Sequence, residues 1–184
     1  MEFTLSKNGF TATVTTMGGE LISFKNDERE YLWDGNPEFW PGHAPILFPF
    51  VSALNNSEVM IDGKLCHFND KHGFGRKFEY TVKERTEDSV TFSLTENEVT
   101  LAQYPYAFEA QIIHKLTDNG FETTYKVINT DSKCIKFAIG GHPALSLMRI
   151  FPTTPSYLIR KRMHNSIIPT RTVISLTIIS AQRR

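Results

Sequence analysis

Three Asx-Gly pairs, each between stretches of alternating apolar and polar residues, constrain the fold of this chain most strongly. They are Asn8-Gly9, Asp62-Gly63 and Asn119-Gly120. Such a pair suits the two-residue turn of a β-hairpin, because both turn positions then need positive φ. Over the first 140 residues the apolar residues follow the two-residue period of strands, not the period of a helix. The sequence therefore predicts an all-β fold, an antiparallel β-sandwich of short strands.

Two segments do not fit this pattern cleanly. Residues 96–104 suit a strand or a helix, and Pro105 would end any helix there. Residues 46–51 form a dense apolar run that contains Pro49. Because proline cannot donate to a strand ladder, we expect this run to be an edge strand or a bent one.

The chain changes character near Met148. Residues 149–184 hold seven of the 20 Lys and Arg residues but no Asp, Glu or Gly. We therefore expect two parts: residues 1–147 as the β-sandwich, and residues 148–184 as a divergent basic tail outside it. The net charge of the whole chain is zero, which gives no reason to expect a nucleic acid or an anionic membrane as partner. The longest uncharged late stretch has 11 residues, whereas a membrane-spanning helix needs about 20.

The cysteines and the N-terminus suggest an intracellular protein. Cys66 and Cys134 lie far apart and form no Cys-x-x-Cys pair, so we expect reduced thiols in a cytoplasmic protein. The first residues lack the basic and apolar regions of a signal peptide. We expect no metal site, because four histidines have no partner at the spacing of metal ligands: His43, His67, His114 and His164.

Two histidines on glycine-containing corners are the candidate catalytic residues. His142 follows two glycines and precedes Pro143, which restricts its backbone to an extended form. His72 precedes Gly73 in the segment 71–76. An imidazole with its ordinary pKa of about 6.5 can give or take a proton near neutral pH. For His72 alone, a loop histidine that caps a turn is the simpler explanation.

Other residues near these corners are candidates for substrate binding. Arg76 offers a fork of hydrogen-bond donors, and Phe74 lies beside His72 in sequence. Trp40 belongs to a group of aromatic residues that either pack in the core or stack on the apolar face of a sugar ring. Core packing explains any single one of them.

Six short segments occur in a fixed order along residues 1 to about 147. They are Met17-Gly18-Gly19-Glu20-Leu21-Ile22-Ser23, Tyr31-Leu32-Trp33, Ala44-Pro45-Ile46-Leu47-Phe48-Pro49, His72-Gly73-Phe74, Tyr104-Pro105-Tyr106-Ala107-Phe108 and Gly140-Gly141-His142-Pro143-Ala144. Together they resemble the aldose 1-epimerase (galactose mutarotase-like) family, most closely its LacX-like bacterial branch. The resemblance implies a galactose mutarotase-like antiparallel sandwich with a sugar held in a cleft on one face. It also implies interconversion of the α and β anomers of aldoses without a metal or organic cofactor.

The resemblance implies roles for the two histidines. Opening a pyranose ring needs a base that takes the proton of the anomeric hydroxyl and an acid that protonates the ring oxygen. In the family the acid is the histidine of Gly-Gly-His-Pro, which corresponds to His142. The histidine of His-Gly-Phe helps to hold the sugar and corresponds to His72.

The chain departs from the family pattern in two places. Where the family usually has Gly-Arg, with the arginine on the sugar, this chain has Ser52 and Ala53. After residue 147 the family supplies a glutamate base, whereas residues 149–184 contain no carboxylate side chain. A replacement base would have to come from the N-terminal part of the chain, where Glu20, Asp34 and Glu109 have no role in proton transfer in the family. Family members also supply further strands after this point. We therefore expect a sandwich that is incomplete at its C-terminal side, with self-association through its exposed sheet edges.

Three hypotheses about function follow. The chain is an isomerase of carbohydrate metabolism, of the aldose 1-epimerase type, whose activity is impaired by the missing base. Alternatively, it is a non-catalytic carbohydrate-binding module that uses the same cleft, or an inactive, truncated or frame-shifted fragment. The first two share a small-molecule aldose as the partner.

Overall fold

The computed structural model describes residues 1–118 and 120–146 in full, and His164–Ile168 and Val173–Ser180 through their backbone. Strands dominate these residues, with one α-helix, α1, at Glu98–Gln103 and short 3-10 turns at Asn55–Ser57 and Gly75–Lys77. The strands are β1 Glu2–Lys7, β2 Phe10–Thr15, β3 Leu21–Asn26, β4 Ile46–Leu47, β5 Glu58–Ile61, β6 Lys64–His67, β7 Thr81–Arg85, β8 Ser89–Thr95, β9 Phe108–Thr117, β10 Gly120–Asn129, β11 Ile135–Gly141, β12 His164–Ile168 and β13 Val173–Ser180.

The strands form antiparallel sheets. One sheet has the order β1-β2-β3, and a second has the order β13-β10-β9-β8-β7. A third sheet has the order β12-β11-β4, and β5 pairs with β6 as a separate hairpin. Each pairing runs antiparallel. The prediction of an all-β, antiparallel architecture is confirmed.

The predicted hairpins are present. Asn8-Gly9 joins β1 to β2, and Asp62-Gly63 joins β5 to β6; all four residues have positive φ, as a tight hairpin turn requires. The third hairpin joins β9 to β10, with Thr117 opposite Gly120. Its turn residue Asn119 lies outside the described residues.

Much of the core lies between the first sheet and the five-stranded sheet. On β2 alternate residues are buried, beginning with Phe10 and ending with Val14. β1 and β2 pack on β9, and the ring of Phe24 on β3 lies 5.5 Å from that of Phe121 on β10. Burial of one such side chain stabilises the fold by about 1.5–3 kcal/mol relative to exposure.

The segment that fitted either a strand or a helix forms α1. Asn97 caps it, since its side-chain oxygen accepts from the backbone N–H groups of Val99 and Thr100, each at 3.0 Å. The hydroxyl of Thr100 in turn accepts from the backbone N–H of Asn97 at 2.8 Å. This reciprocal capping box decides the segment for a helix. The apolar run that contains Pro49 forms only the two-residue β4, which ends before the proline.

Two segments of the basic tail each add a strand to a sheet. The backbone of β12 pairs with β11, and the backbone of β13 pairs with β10 over eight residue pairs. Residues 173–179 are β-branched or otherwise suited to strands, apart from Ser175. The boundary at residue 147, and self-association through sheet edges, stay predictions.

Both cysteines are free thiols; Cys66 is buried and Cys134 is exposed. The described part of the chain contains no helix that is long and apolar enough to span a membrane.

Candidate functional site

His142 lies at the end of β11, where two glycines pair with β4. Gly140 is opposite Leu47 and Gly141 is opposite Ile46. The backbone N–H of His142 then donates to the carbonyl oxygen of Pro45 at 3.0 Å. The main chain is thus fixed on both sides of the corner while the side chain of His142 is exposed.

The loop that receives His142 is held by Glu20. One carboxylate oxygen of Glu20 accepts from the backbone N–H groups of His43, at 2.8 Å, and Ala44, at 2.7 Å. The carbonyl of His43 accepts from the N–H of Ala144 at 2.8 Å. Glu20 therefore connects the start of β3 to the His142 corner. The sequence offers no signal for this contact, because 23 residues separate Glu20 from His43.

Trp40 lies directly beside His142. The two ring centroids are 5.3 Å apart with 57° between the ring planes. The indole N–H of Trp33 donates to the carbonyl oxygen of Trp40 at 2.8 Å, which fixes this part of the loop. Gly42 makes room for the indole, since a Cβ at this position would lie 2.6 Å from a Trp40 ring carbon.

His72 also lies near His142, with ring centroids 6.1 Å apart. The sequence places these histidines 70 positions apart, and the fold brings them together. Trp40, His72 and His142, called the histidine cluster below, combine two imidazoles with one indole. This set can exchange protons with a bound hydroxyl and can stack on an apolar ring face.

The loop that carries His72 is bound tightly to the segment after β4. His72 has φ +69°, Gly73 follows at φ +71°, and a Cβ at Gly73 would collide with the carbonyl oxygen of Phe48. The backbone N–H of Phe48 donates to the carbonyl oxygen of His72 at 3.1 Å. The carbonyl oxygen of Phe48 accepts from the backbone N–H of Gly75 at 2.9 Å. Because a left-handed φ in a residue other than glycine is costly, the fold maintains this corner against local preference.

Ser52 holds the imidazole of His72 itself. The backbone N–H of Ser52 donates to Nδ1 of His72 at 2.9 Å, and the backbone N–H of His72 donates to the carbonyl of Ser52 at 2.7 Å. Ser52 also has a left-handed φ, +84°. This partner cannot be predicted from the residue type, since the contact uses backbone atoms that every residue except proline has.

Two predicted binding residues, Phe74 and Arg76, make contacts with other parts of the protein. Phe74 is only 4% exposed and packs edge-on against Phe48, at 6.0 Å, inside the aromatic core. The ring of Phe74 therefore supports the His72 loop from the core side, and a contact between Phe74 and a sugar stays a prediction. Arg76 donates to the carbonyl oxygen of Lys71 at 3.1 Å and lies 3.9 Å from Asp70, so its guanidinium braces the loop before His72. A contact between Arg76 and a sugar stays a prediction.

The three carboxylates weighed as replacement bases are engaged in other contacts. Glu20 accepts the two loop N–H groups described above. Glu109 accepts from Lys83, Ser93 and Gln111, and Asp34 accepts from the backbone N–H of Asn36 at 3.1 Å. Within the fully described residues, no cluster of three or more His, Cys, Asp or Glu side chains could hold a metal ion.

A family model described as aldose 1-epimerase matches residues 1–173 of this sequence. The chain belongs to the aldose 1-epimerase family. The match extends past residue 147 and includes the β12 segment. The predicted family is therefore confirmed.

Curated relatives within the family support the LacX-like resemblance. The plasmid and chromosomal LacX proteins of Lactococcus lactis subsp. lactis are each 38% identical to this chain over 152 residues. The alignment covers 79% of this chain and 51% of each relative. The chain thus spans about half the length of the curated relatives it matches.

Solved structures confirm the galactose mutarotase-like fold. A galactose mutarotase-like protein from Lactobacillus casei is 35% identical, with a TM-score of 0.77 over 80% of this chain and 51% of that protein. A galactose mutarotase related enzyme from Lactobacillus acidophilus is 32% identical, with a TM-score of 0.78 over 96% of this chain and 65% of that enzyme.

Proposed function

We propose that this aldose 1-epimerase family member binds an aldose at the histidine cluster and opens its ring slowly, with His142 as the general acid. The observation that carries the proposal is the position of the His142 ring, 5.3 Å from Trp40 and 6.1 Å from His72. An indole beside an exposed imidazole supports stacking on a sugar ring face next to a group that can protonate the ring oxygen.

The slow rate follows from the carboxylates in the chain. A positioned general base contributes on the order of 10²–10⁴ to the rate of such a proton transfer. Glu20 and Glu109 each accept more than one hydrogen bond in the fold, and residues 149–184 contain no carboxylate side chain. Without a positioned carboxylate, water would accept the proton of the anomeric hydroxyl.

A second candidate function is sugar binding without catalysis. It is favoured by the same engagement of Glu20 and Glu109, because stacking on Trp40 and hydrogen bonding to His72 need no base. The two candidates share one binding site and differ only in whether the bound sugar changes its anomer faster.

Polarimetry on freshly dissolved α-glucose and α-galactose separates these functions. We expect a weak acceleration of mutarotation that His142→Ala abolishes. His67→Ala is the matched control, because His67 is an exposed histidine on β6 paired with Glu58 at 3.3 Å. An unchanged rate in the His142 variant would overturn the role of the acid.

Titration calorimetry with the same sugars completes the assignment. Binding that depends on His142, without acceleration, would favour the non-catalytic module. Neither binding nor acceleration would favour an inactive fragment and would contradict the proposal. A rate equal to that of a complete family member would mean that another base operates in this chain.

A further inference from the structure

The direction of the hydrogen bond between Ser52 and His72 shows which ring nitrogen of His72 carries a proton. A backbone N–H can only donate, so Nδ1 of His72, 2.9 Å away, must be the acceptor. A neutral imidazole that accepts at Nδ1 carries its hydrogen on Nε2. The doubly protonated form has no lone pair for this contact, so it would break the hydrogen bond.

The contact is one half of a two-way clamp. His72 donates its own backbone N–H to the carbonyl of Ser52 at 2.7 Å, so each residue both donates to and accepts from the other. Both residues have left-handed φ, +84° at Ser52 and +69° at His72. Two strained corners that bind each other fix the ring of His72 relative to the backbone, and strain of this kind concentrates at functional sites.

We propose that Ser52 is a positioning residue that holds His72 as the Nε2–H tautomer. His72 therefore meets a sugar oxygen as a neutral hydrogen-bond donor and does not act as the base for ring opening. The inference rests on the proposed function only where it names a sugar as the ligand of His72. The tautomer itself is a property of the free chain.

The direct test is a two-bond ¹H–¹⁵N correlation spectrum of the chain labelled with ¹⁵N-histidine, recorded at neutral pH. The ¹⁵N shift of each ring nitrogen reports whether it carries a proton, and His72→Asn identifies the His72 signals by their loss. We expect a protonated Nε2 and an unprotonated Nδ1. A Nδ1–H tautomer, or a doubly protonated ring, would overturn the proposal whatever the outcome of the sugar experiments.

Three variants of Ser52 test the role of its backbone. Ser52→Ala keeps the N–H and removes the hydroxyl, and Ser52→Gly keeps the N–H and suits positive φ, so both should leave the tautomer unchanged. Ser52→Val puts a β-branched residue at φ +84° and should convert the His72 signals into a mixture of tautomers. A tautomer that changes in the Ala variant would assign the effect to the hydroxyl and contradict the clamp. An unchanged tautomer in a folded Val variant would contradict the role of Ser52. If the Val variant does not fold, the spectrum of the wild-type chain still decides whether Nε2 carries the proton.

Isosteres of His72 separate the two ring nitrogens. Asn places an acceptor near the position of Nδ1 and tolerates left-handed φ, so His72→Asn should keep the clamp and the thermal stability. Gln places a donor near the position of Nε2, so His72→Gln should bind the sugar about 2- to 10-fold more tightly than His72→Asn. Equal or reversed affinities would contradict the donor role of His72. Absence of sugar binding in the wild-type chain would count against the proposed function and would leave the spectroscopic result standing.

Discussion

Nε2 of His114 lies 2.8 Å from the carbonyl oxygen of Gly19. Because the carbonyl can only accept, Nε2 donates, and Nδ1 accepts from the hydroxyl of Thr123 at 3.0 Å. His114 is 2% exposed, and its ring lies 6.0 Å from that of Phe92 and 5.5 Å from that of Phe121. The next residue after Gly19 is Glu20, which holds the loop of the histidine cluster. The buried histidine therefore anchors the segment that supports the site.

We expect acid to destabilise the fold, because the buried imidazole of His114 resists protonation in the folded chain. Burial lowers the pKa of His114 from 6.5 to about 4. Between these values the unfolded chain binds more protons at this residue than the folded chain does, so stability falls as the pH falls. The part of the free energy of unfolding that depends on neutral His114 is fully present above pH 6.5 and fully lost below about pH 4. This loss amounts to about 3 kcal/mol.

Denaturant unfolding at a series of pH values checks this prediction, with His114→Gln as the non-titrating control. We expect the free energy of unfolding of the wild-type chain to fall more steeply between pH 6.5 and 4 than that of the variant. The hydrogen-bonded carboxylates, such as Asp62 beside Lys136, have lowered pKa values and lose their contribution only below about pH 4. Equal slopes for both chains would refute the assignment to His114.

Ser52→Gly should stabilise the chain by about 1 kcal/mol. A side chain at φ +84° is strained, and a glycine at the same position is not. Thermal unfolding of both chains measures the effect. Ser6→Gly is the control, because Ser6 is an exposed residue of the extended strand β1, where glycine should destabilise by about 0.5–1 kcal/mol. A loss of stability in the Ser52 variant would mean that its side chain contributes more than the strain costs.

The elements of the fold that could be read from the sequence are those whose cause is local. The hairpin at Asp62-Gly63 follows from the φ values that its turn needs, and α1 could have been predicted from Asn97 and Thr100, which form a capping box. The contacts that build the site are different. Ser52 reaches His72, and Glu20 reaches His43, through backbone groups that no residue type reveals.

The histidine pair was predictable only in part. Gly-flanked corners identify His72 and His142 as unusual, but only the family resemblance placed them in one site. The surroundings of Phe74 could not be predicted for a related reason. Its position two residues after His72 suggests a shared site, whereas its ring packs in the core beside Phe48.

Gly42→Ala should weaken sugar binding by displacing Trp40. The added Cβ would lie 2.6 Å from the indole, so the ring has to move away from its place beside His142. Near-ultraviolet circular dichroism measures the displacement, and calorimetry measures the affinity. Gly63→Ala is the matched control, since a Cβ there meets open space within 4 Å and φ is +81°. The control should lose stability without losing affinity, and a parallel loss in both variants would contradict the role of Trp40.

Ala53→Arg should strengthen sugar binding by about 10- to 100-fold. The family resemblance places an arginine at this position, and Ala53 is exposed and adjacent to Ser52, whose backbone holds His72. Hydrogen bonds from a charged group contribute roughly 1.5–3 kcal/mol, which corresponds to that range of affinity. Titration calorimetry with galactose and glucose measures the change against Ala102→Arg, the same substitution at an exposed position of α1. A gain in the Ala53 variant that His142→Ala removes would place the new guanidinium on the same sugar as the histidine cluster. An equal gain in both arginine variants would indicate non-specific attraction, and no gain in either would mean that the loop after β4 does not face the bound sugar.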